Sequence, residues 1–349
     1  MYQVFKDKRI LVTGHTGFKG GWLTYWLWKL GAKVSGYSKD LPTNPCLYEQ
    51  INLKNILLND FREDILDFNK ITNAIDIVKP DYIFHLAAQP IVSKSYLNPI
   101  ETFSTNLIGS LNLFEAIRKS SFPAIAVFIT SDKCYENKEW IYGYREKDKL
   151  GGKDPYSASK ACAEIGLRSL GLSYPNRNFR YATARAGNVI GGGDWSLDRV
   201  VPDCIKKWQN CEPVVLRNPN ATRPWQHVLE PISGYLTLAE YLTKDSSLDS
   251  ESFNFGPITS QDVTVEEVCK LLSIYWPKSE IEINSDISIG IESGLLKLDI
   301  SKALKSLNWK PKLNIDECAY LTSNWYLKNK NGSLASDLCE HDIEFYLKK

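Results

Sequence analysis

Tyr156 and Lys160 stand four residues apart in the run Asp154-Pro155-Tyr156-Ser157-Ala158-Ser159-Lys160. In a helix that spacing puts both side chains on one face. An ammonium beside a phenol stabilises the tyrosinate and lowers a pKa normally near ~10 toward working pH. A phenolate so prepared is a base for taking the proton of an alcohol.

Upstream, Thr13-Gly14-His15-Thr16-Gly17-Phe18-Lys19-Gly20 follows an apolar strand expected over Lys8–Gly14 and opens a helical pattern running to about Leu30. Its glycines permit a tight turn and let backbone N–H groups approach a pyrophosphate at the helix N-terminus. Gly14, Thr16, Gly17, Phe18, Lys19 and Gly20 are therefore candidate cofactor-binding residues. A dinucleotide turn and a phenolate base together read as nicotinamide-dependent oxidation of an alcohol. The second strand ends Gly36-Tyr37-Ser38-Lys39-Asp40. Asp40 could meet a ribose 2′-hydroxyl or Lys39 a 2′-phosphate, which leaves NAD and NADP both open on this strand alone. Asp64 and Ile65 offer a carboxylate and an apolar side chain suited to adenosine, or simply a strand-end acid. Leu86, Ala87, Ala88 and Gln89 allow close approach of the cofactor, while His85 reads as a satisfied strand histidine.

These residues need a frame. Strands expected at Lys33–Tyr37, Asp81–Ala88, Ala124–Ser131 and Tyr181–Ala186 alternate with helical stretches at Asp67–Lys79, Pro99–Lys119 and Tyr156–Leu172. That alternation predicts a parallel sheet covered on both faces, with ligands at the carboxyl ends of the strands. After about Asn188 it gives way to loops rich in Gly, Asn and Pro. Glu266–Trp276 and Ser301–Leu307 look helical and peripheral, and the lysine-rich end after Lys328 reads as a loose tail. A chain of 349 residues is long for one compact domain. The expected division is 1–187 as a dinucleotide-binding domain with a return around 226–258, and 188–225 with 259–349 as a smaller substrate-binding domain.

Charge excludes whole classes. Lys plus Arg (42) nearly cancels Asp plus Glu (41), so nothing draws the chain to nucleic acid or an anionic membrane. No apolar run approaches the ~20 residues of a membrane span, and no signal-peptide core is present, which implies a cytoplasmic protein. Eight cysteines lie scattered without a C-x-x-C pair and read as free thiols. Four histidines in separate segments give no metal site.

The turn at Gly14–Gly20, the run His85–Gln89 and the Tyr156/Lys160 pair resemble the extended short-chain dehydrogenase/reductase family, nucleotide-sugar branch. Thr130-Ser-Asp-Lys-Cys-Tyr-Glu-Asn137, Arg185-Ala-Gly-Asn-Val-Ile-Gly-Gly-Gly-Asp-Trp195 and Asn218-Pro-Asn-Ala-Thr-Arg-Pro-Trp-Gln-His227 narrow the resemblance to the 4,6-dehydratases, in particular the branch acting on CDP-glucose. The resemblance runs from about residue 8 to about residue 320. It implies a Rossmann-type doubly wound α/β sheet with a smaller, discontinuous C-terminal domain, a homodimer or tetramer, and a place in deoxysugar biosynthesis. It also implies a reaction on a nucleotide-linked hexose with tightly held NAD: hydride leaves C4, water is lost across C5 and C6, and hydride returns to C6. Tyr156 is then the base for the 4-hydroxyl, Lys160 holds the phenolate and the nicotinamide ribose, and Ser131 bonds the same hydroxyl. Asp132 and Lys133 fall where the family carries the acid for the 6-hydroxyl and the base for the C5 proton. Asp-Lys here departs from the Asp-Glu of many sister dehydratases.

A sugar nucleotide brings a diphosphate, which a guanidinium grips bidentately. Arg223 is the best candidate by motif, with Asn188 and Arg217 as further substrate contacts. Arg185, inside a strand, reads as structural. Trp195 and Trp225 either stack on the base or pack in the core. Two other readings compete. A C4 epimerase on the same scaffold needs no acid and base for C5 and C6, and the Ser131-Asp132-Lys133 run disfavours it. A dinucleotide-sensing regulator would be expected to have lost one of these groups.

Overall fold

A computed structural model of the chain describes residues 2–216, 218–258, 263–283 and 295–349. Strand β1 (Arg9–Thr13) leads into α1 (Phe18–Lys29), β2 (Lys33–Tyr37), α2 (Leu47–Gln50), β3 (Asp60–Phe61), α3 (Phe68–Val78), β4 (Tyr82–His85), α4 (Val92–Leu97) and α5 (Pro99–Phe103). A π-helical turn, Ser104–Ile108, carries α5 without a break into α6 (Gly109–Lys119), followed by β5 (Ala124–Ile129), α7 (Pro155–Ser173) and β6 (Phe179–Ala186). Then come β7 (Val189–Ile190), α8 (Val200–Gln209), β8 (Val214–Leu216), β9 (Gln226–His227), α9 (Leu229–Lys244) and β10 (Glu251–Phe255). The chain ends with α10 (Val265–Ser273), β11 (Ile281–Ile283), α11 (Ser301–Leu307), α12 (Ile315–Lys330) and α13 (Ala335–Lys348).

Seven strands form one sheet in the order β10-β6-β5-β4-β1-β2-β3, and every pairing in it is parallel. Alternate side chains serve opposite faces, as the pleat requires. Ile10 and Val12 of β1 join a core with Trp22, Trp26 and Leu236 of α1 and α9. Leu11 between them joins Ile71, Ile75, Phe114, Ile117 and Leu167 of α3, α6 and α7. Helices thus cover both faces, the doubly wound arrangement expected. The strand reversal between β1 and β4 opens the crevice in which such sheets bind ligands.

Beyond β6 the chain builds a smaller lobe from two two-stranded parallel pairs, β8 with β11 and β7 with β9. It then returns to the sheet, where α9 packs on β5 and β6 and β10 adds the edge strand.

Three local differences from expectation have physical causes. The strand expected over Asp81–Ala88 stops at His85 because Leu86–Ala88 leave the sheet to skirt Gly14. The helix expected over Pro99–Lys119 contains the π turn. The end after Lys328 is not a loose tail. Ala335, Leu338, Cys339, Asp342, Ile343 and Tyr346 form a buried stripe at helical spacing on α13, and Tyr346 meets Trp26 edge-on at 5.8 Å. The lysines of this segment ride on the opposite face.

Candidate active site

The turn after β1 is a built cradle. Gly14 has φ +72°, and a Cβ there would lie 2.6 Å from the Ala87 nitrogen. A Cβ on Gly20 would lie 2.0 Å from the Gly14 carbonyl oxygen, so only glycine lets the helix start this close to the strand. Gly17 is the N-cap of α1 and no side chain caps that end. The first N–H groups of α1 are therefore available to an anion, and Lys19 stands in the same turn. Burial, reinforced by Arg199, pushes the Lys19 ammonium down to about 8. These residues fit the diphosphate of a dinucleotide. Thr16 bonds Ser38 and the Asp40 carbonyl, both at 2.7 Å, which ties the turn to the end of β2. Phe18 packs on the core near Gly191.

The adenosine side is engaged within the protein. Asp64 pairs with Lys39 at 3.0 Å and caps the Leu66 N–H at 3.0 Å, and Ile65 is buried against Gly109. Lys39 is thus committed to Asp64. Leu86, Ala87 and Ala88 line the crevice beside Gly14, but Gln89 turns inward: its amide bonds Ile91 and Thr102, and its N–H meets Asn106 Oδ1 at 2.8 Å. His85 is bonded by Thr13 at 2.7 Å and Ser110 at 2.9 Å, and burial pushes it down to about 3, so it stays neutral.

The chemistry gathers past the end of β5 and at the start of α7. Asp154 caps α7 through the Ser157 N–H (2.9 Å) and hydroxyl (2.5 Å), with Pro155 in the first turn, and this fixes Tyr156 and Lys160 on the inner face. Tyr156 is hydrogen-bonded to Ser131, and Ser131 donates to Asp132 Oδ1 at 3.0 Å. The Lys133 N–H donates to Ser131 Oγ at 3.2 Å. The three residues after Thr130 are thus folded into one turn around a single hydroxyl. Asp132 is 2 % exposed and its Oδ2 has no partner among the described residues. Burial raises its pKa against the opposing pull of Lys133 and the Ser131 hydroxyl, so it is poised as an acid.

Lys160 does not reach its expected partner directly. Its Nζ donates to the Ile129 carbonyl at 3.3 Å, and burial followed by Lys19 pushes it down to about 8. Burial pushes Tyr156 up to about 12, opposed by Ser131 and Arg199. Desolvation of the phenol therefore outweighs the cations in the protein alone, where the spacing of the pair had led us to expect a lowered pKa.

The opposite wall brings in the second long motif. A Cβ on Gly187 would lie 2.4 Å from Pro224 Cγ and 3.0 Å from Asp132 Oδ2, so the segment carrying Asn188 and the Thr222-Arg223-Pro224 loop converge on the acid. Asn188 accepts the Gln226 N–H at 3.2 Å through its carbonyl. Arg223 is half-buried and donates to the Thr222 carbonyl at 2.8 Å. Arg217 lies outside the described residues. Trp195 and Trp225 are buried, bonded to Gln50 (2.8 Å) and the Val263 carbonyl (3.1 Å), and pack in the core. Arg185 is structural: it bonds Glu164 at 2.8 Å with both side chains buried.

Sequence reasoning missed Asn106. It lies in the π turn, where the extra residue in the turn lets it bond both Gln89 and Ser159 of α7 (2.8 Å). Ser-Thr-Asn-Leu-Ile keeps an ordinary helical look, so no pattern announces the turn. Among the described residues there is no cluster of three His, Cys, Asp or Glu that could hold a metal, and no helix long and apolar enough to cross a membrane. All eight cysteines are free thiols; Cys162 is half-buried, Cys211 is exposed and the other six are buried.

Known proteins agree with this geometry. Residues 11–322 match the family model described as GDP-mannose 4,6 dehydratase. A CDP-glucose 4,6-dehydratase of Salmonella typhimurium is 44% identical over 328 residues, covering 92% of this chain and 91% of the relative. A UDP-glucose 4-epimerase of Mycoplasma genitalium is 25% identical, covering 78% of this chain and 84% of the relative. The solved UDP-glucose 4-epimerase of Thermus thermophilus, a complex with NAD, superposes with a TM-score of 0.76 at 25% identity, over 91% of this chain and 99% of that one. With the glycine cradle, the Tyr156–Ser131–Asp132 run and a match over most of its length, the chain belongs to the GDP-mannose 4,6 dehydratase family of extended short-chain dehydrogenase/reductases.

Proposed function

We propose that the chain is a lyase that converts CDP-glucose to CDP-4-keto-6-deoxyglucose and water. The observation that carries this is the buried, unpartnered Asp132 carboxyl, joined through Ser131 to the Tyr156 phenol. An epimerase needs the phenol and the hydroxyl; only an elimination needs an acid beside them.

Gly14, Gly17, Lys19 and Gly20 would hold the diphosphate of NAD, with Leu86, Ala87 and Ala88 along its course and Lys160 at its ribose. When bound, NAD supplies the two-electron acceptor and donor that open and close the cycle. Tyr156 takes the 4-hydroxyl proton, and Ser131 holds that hydroxyl in place. The resulting ketone acidifies C5–H, which Lys133 removes in its neutral form. Asp132 gives its proton to the departing 6-hydroxyl, which leaves as water. Asn188, Arg217 and Arg223 hold the substrate diphosphate.

The exposed side chains Ile100, Ile108, Ile165 and Leu172, on the helical run from α5 to α6 and on α7, provide an apolar surface for a homodimer. We assign the enzyme to the cytoplasm, where a reducing thiol pool suits eight unpaired cysteines. A role in deoxysugar supply for surface polysaccharide follows from the product.

The test is incubation with CDP-glucose, with and without added NAD, following the alkali-induced absorbance of 4-keto-6-deoxy sugars. Product without net cofactor reduction supports the dehydratase. Product only from dTDP-, GDP- or UDP-glucose keeps the mechanism and changes the base. No product from any of them returns the epimerase or regulator reading.

Two substitutions divide the site. Lys133→Ala is expected to cut product formation by roughly 100- to 10,000-fold, with CDP-glucose binding by calorimetry unchanged; normal yield removes Lys133 from the mechanism. Arg223→Ala is expected to raise KM by about tenfold or more through loss of a charged hydrogen-bond donor, with little change in kcat. An unaltered KM sends the diphosphate to another residue.

A further inference from the structure

The loop leading to α8 carries a cation that the reaction sequence leaves unused. Asp194 is 3 % exposed, and its backbone carbonyl accepts the Tyr326 hydroxyl at 2.5 Å. Its carboxylate is shared between the Ser196 N–H at 3.1 Å and Arg199 Nη1 at 2.9 Å. The core thus fixes Asp194, and Asp194 fixes Arg199. The residue before Arg199 is latched as well: Asp198 has φ +58° and accepts the Ser93 hydroxyl at 2.6 Å. Ser93 lies on α4, which packs on α7, the helix whose first turn holds Tyr156.

The two anchors set the Arg199 guanidinium within electrostatic reach of the Tyr156 phenol and the Lys19 ammonium. About a third of its side chain stays accessible (36%), so it borders the cleft and is not part of the core. The other charges that face the phenol act against it: Asp132 from the end of β5 and Asp154 from the cap of α7. Tyr235 on α9 faces the phenol as a neutral group. Lys133 sits beside Asp132, and Lys160, on the same helix as Tyr156, gives its ammonium to a carbonyl.

We propose that Arg199, held by Asp194, is a positioning residue that stabilises the Tyr156 phenolate from the substrate side of the cleft. Lys160 then shares this task instead of carrying it alone. A fixed cation is suited to it because a guanidinium keeps its charge at every working pH, whereas an ammonium in the same crevice does not. This deepens the assignment of Tyr156 as base and rests on it.

The sign follows directly. A cation facing a phenol favours the phenolate, so its removal moves the acid limb of the rate profile to higher pH. The experiment is the pH dependence of kcat and kcat/KM on CDP-glucose with NAD for the wild type, Arg199→Gln and Arg199→Lys, with Tyr156→Phe in parallel. Arg199→Gln is expected to move the acid limb of kcat up by roughly one pH unit and to approach the wild-type rate at high pH. Arg199→Lys is expected to return the limb toward its original place. An unmoved limb with only KM raised makes Arg199 a diphosphate ligand and overturns the proposal. Loss of activity by the same factor at every pH in both variants, or failure of the Gln variant to fold, makes the residue structural and also overturns it. An active Tyr156→Phe enzyme removes the base assignment itself, which is a different failure from an inactive Phe variant with an unmoved Arg199→Gln limb.

Discussion

Tyr156→Phe should lower turnover of CDP-glucose by roughly 100- to 10,000-fold and leave the melting temperature at its wild-type value. The ring is 9 % exposed and is held by α7, whose cap at Asp154 does not involve the phenol. The substitution removes one hydroxyl and its bond to Ser131, and Ser131 keeps Asp132 and the Lys133 N–H as partners. The loss therefore falls on proton transfer. Because burial pushes the phenol up to about 12, the protonated form dominates in the resting protein, and the wild-type rate should rise with pH as the phenolate becomes accessible. The residual rate of the Phe variant should lack that rise. Undiminished turnover, or a Phe variant with the same pH dependence as the wild type, would end the assignment.

Arg185→Leu is expected to be the most destabilising single change, by about 3–5 kcal/mol. Arg185 bonds Glu164 through both Nε (3.0 Å) and Nη2 (2.8 Å), with side chains 3% and 2% exposed. It also bonds the Tyr135 hydroxyl (2.7 Å) and lies over that ring. Thr130 and Thr183 donate to the same carboxylate, at 2.5 and 2.8 Å. Burial alone would raise the Glu164 pKa, but Arg185 and these hydroxyls win and hold it below the usual value. Removing Arg185 strands a buried carboxylate, whereas replacing both partners by apolar groups does not. Thermal unfolding should show a fall of roughly 5 °C for Arg185→Leu and a clear recovery when Glu164→Leu is added. A double variant as unstable as the single one would show that the stranded charge is not the cause. Since a lowered carboxyl pKa contributes stability above its unfolded value, the wild type should lose this contribution as pH falls through the folded pKa, and the double variant should not.

The parts readable in the sequence are those with short-range signatures. β2 and α11 lie where expected, at Lys33–Tyr37 and Ser301–Leu307, because each is a compact run bounded by turn residues. The Tyr156/Lys160 pair follows from helical spacing alone. What escaped depends on distant partners. The edge strand β10, Glu-Ser-Phe-Asn-Phe, is a strand only because β6 pairs with it. α13 looks like a charged tail until Trp26 offers a surface for its apolar stripe. The direction of the Lys160 ammonium depends on the Ile129 carbonyl of another element. The place of Arg199 is set by Asp194 and Tyr326, residues far apart in sequence.

The position of β10 has a consequence for synthesis. β6 is finished at Ala186, but the strand that covers its outer edge ends at Phe255, so it is made roughly 70 residues later, or about 4–14 s at ordinary elongation rates. Through that interval the nascent sheet presents a bare eight-residue ribbon, most of it apolar or small, to any neighbouring chain on the polysome. Ribosome-bound chains of this protein are most open to mispairing in that window, and a pause between these two strands would lengthen it.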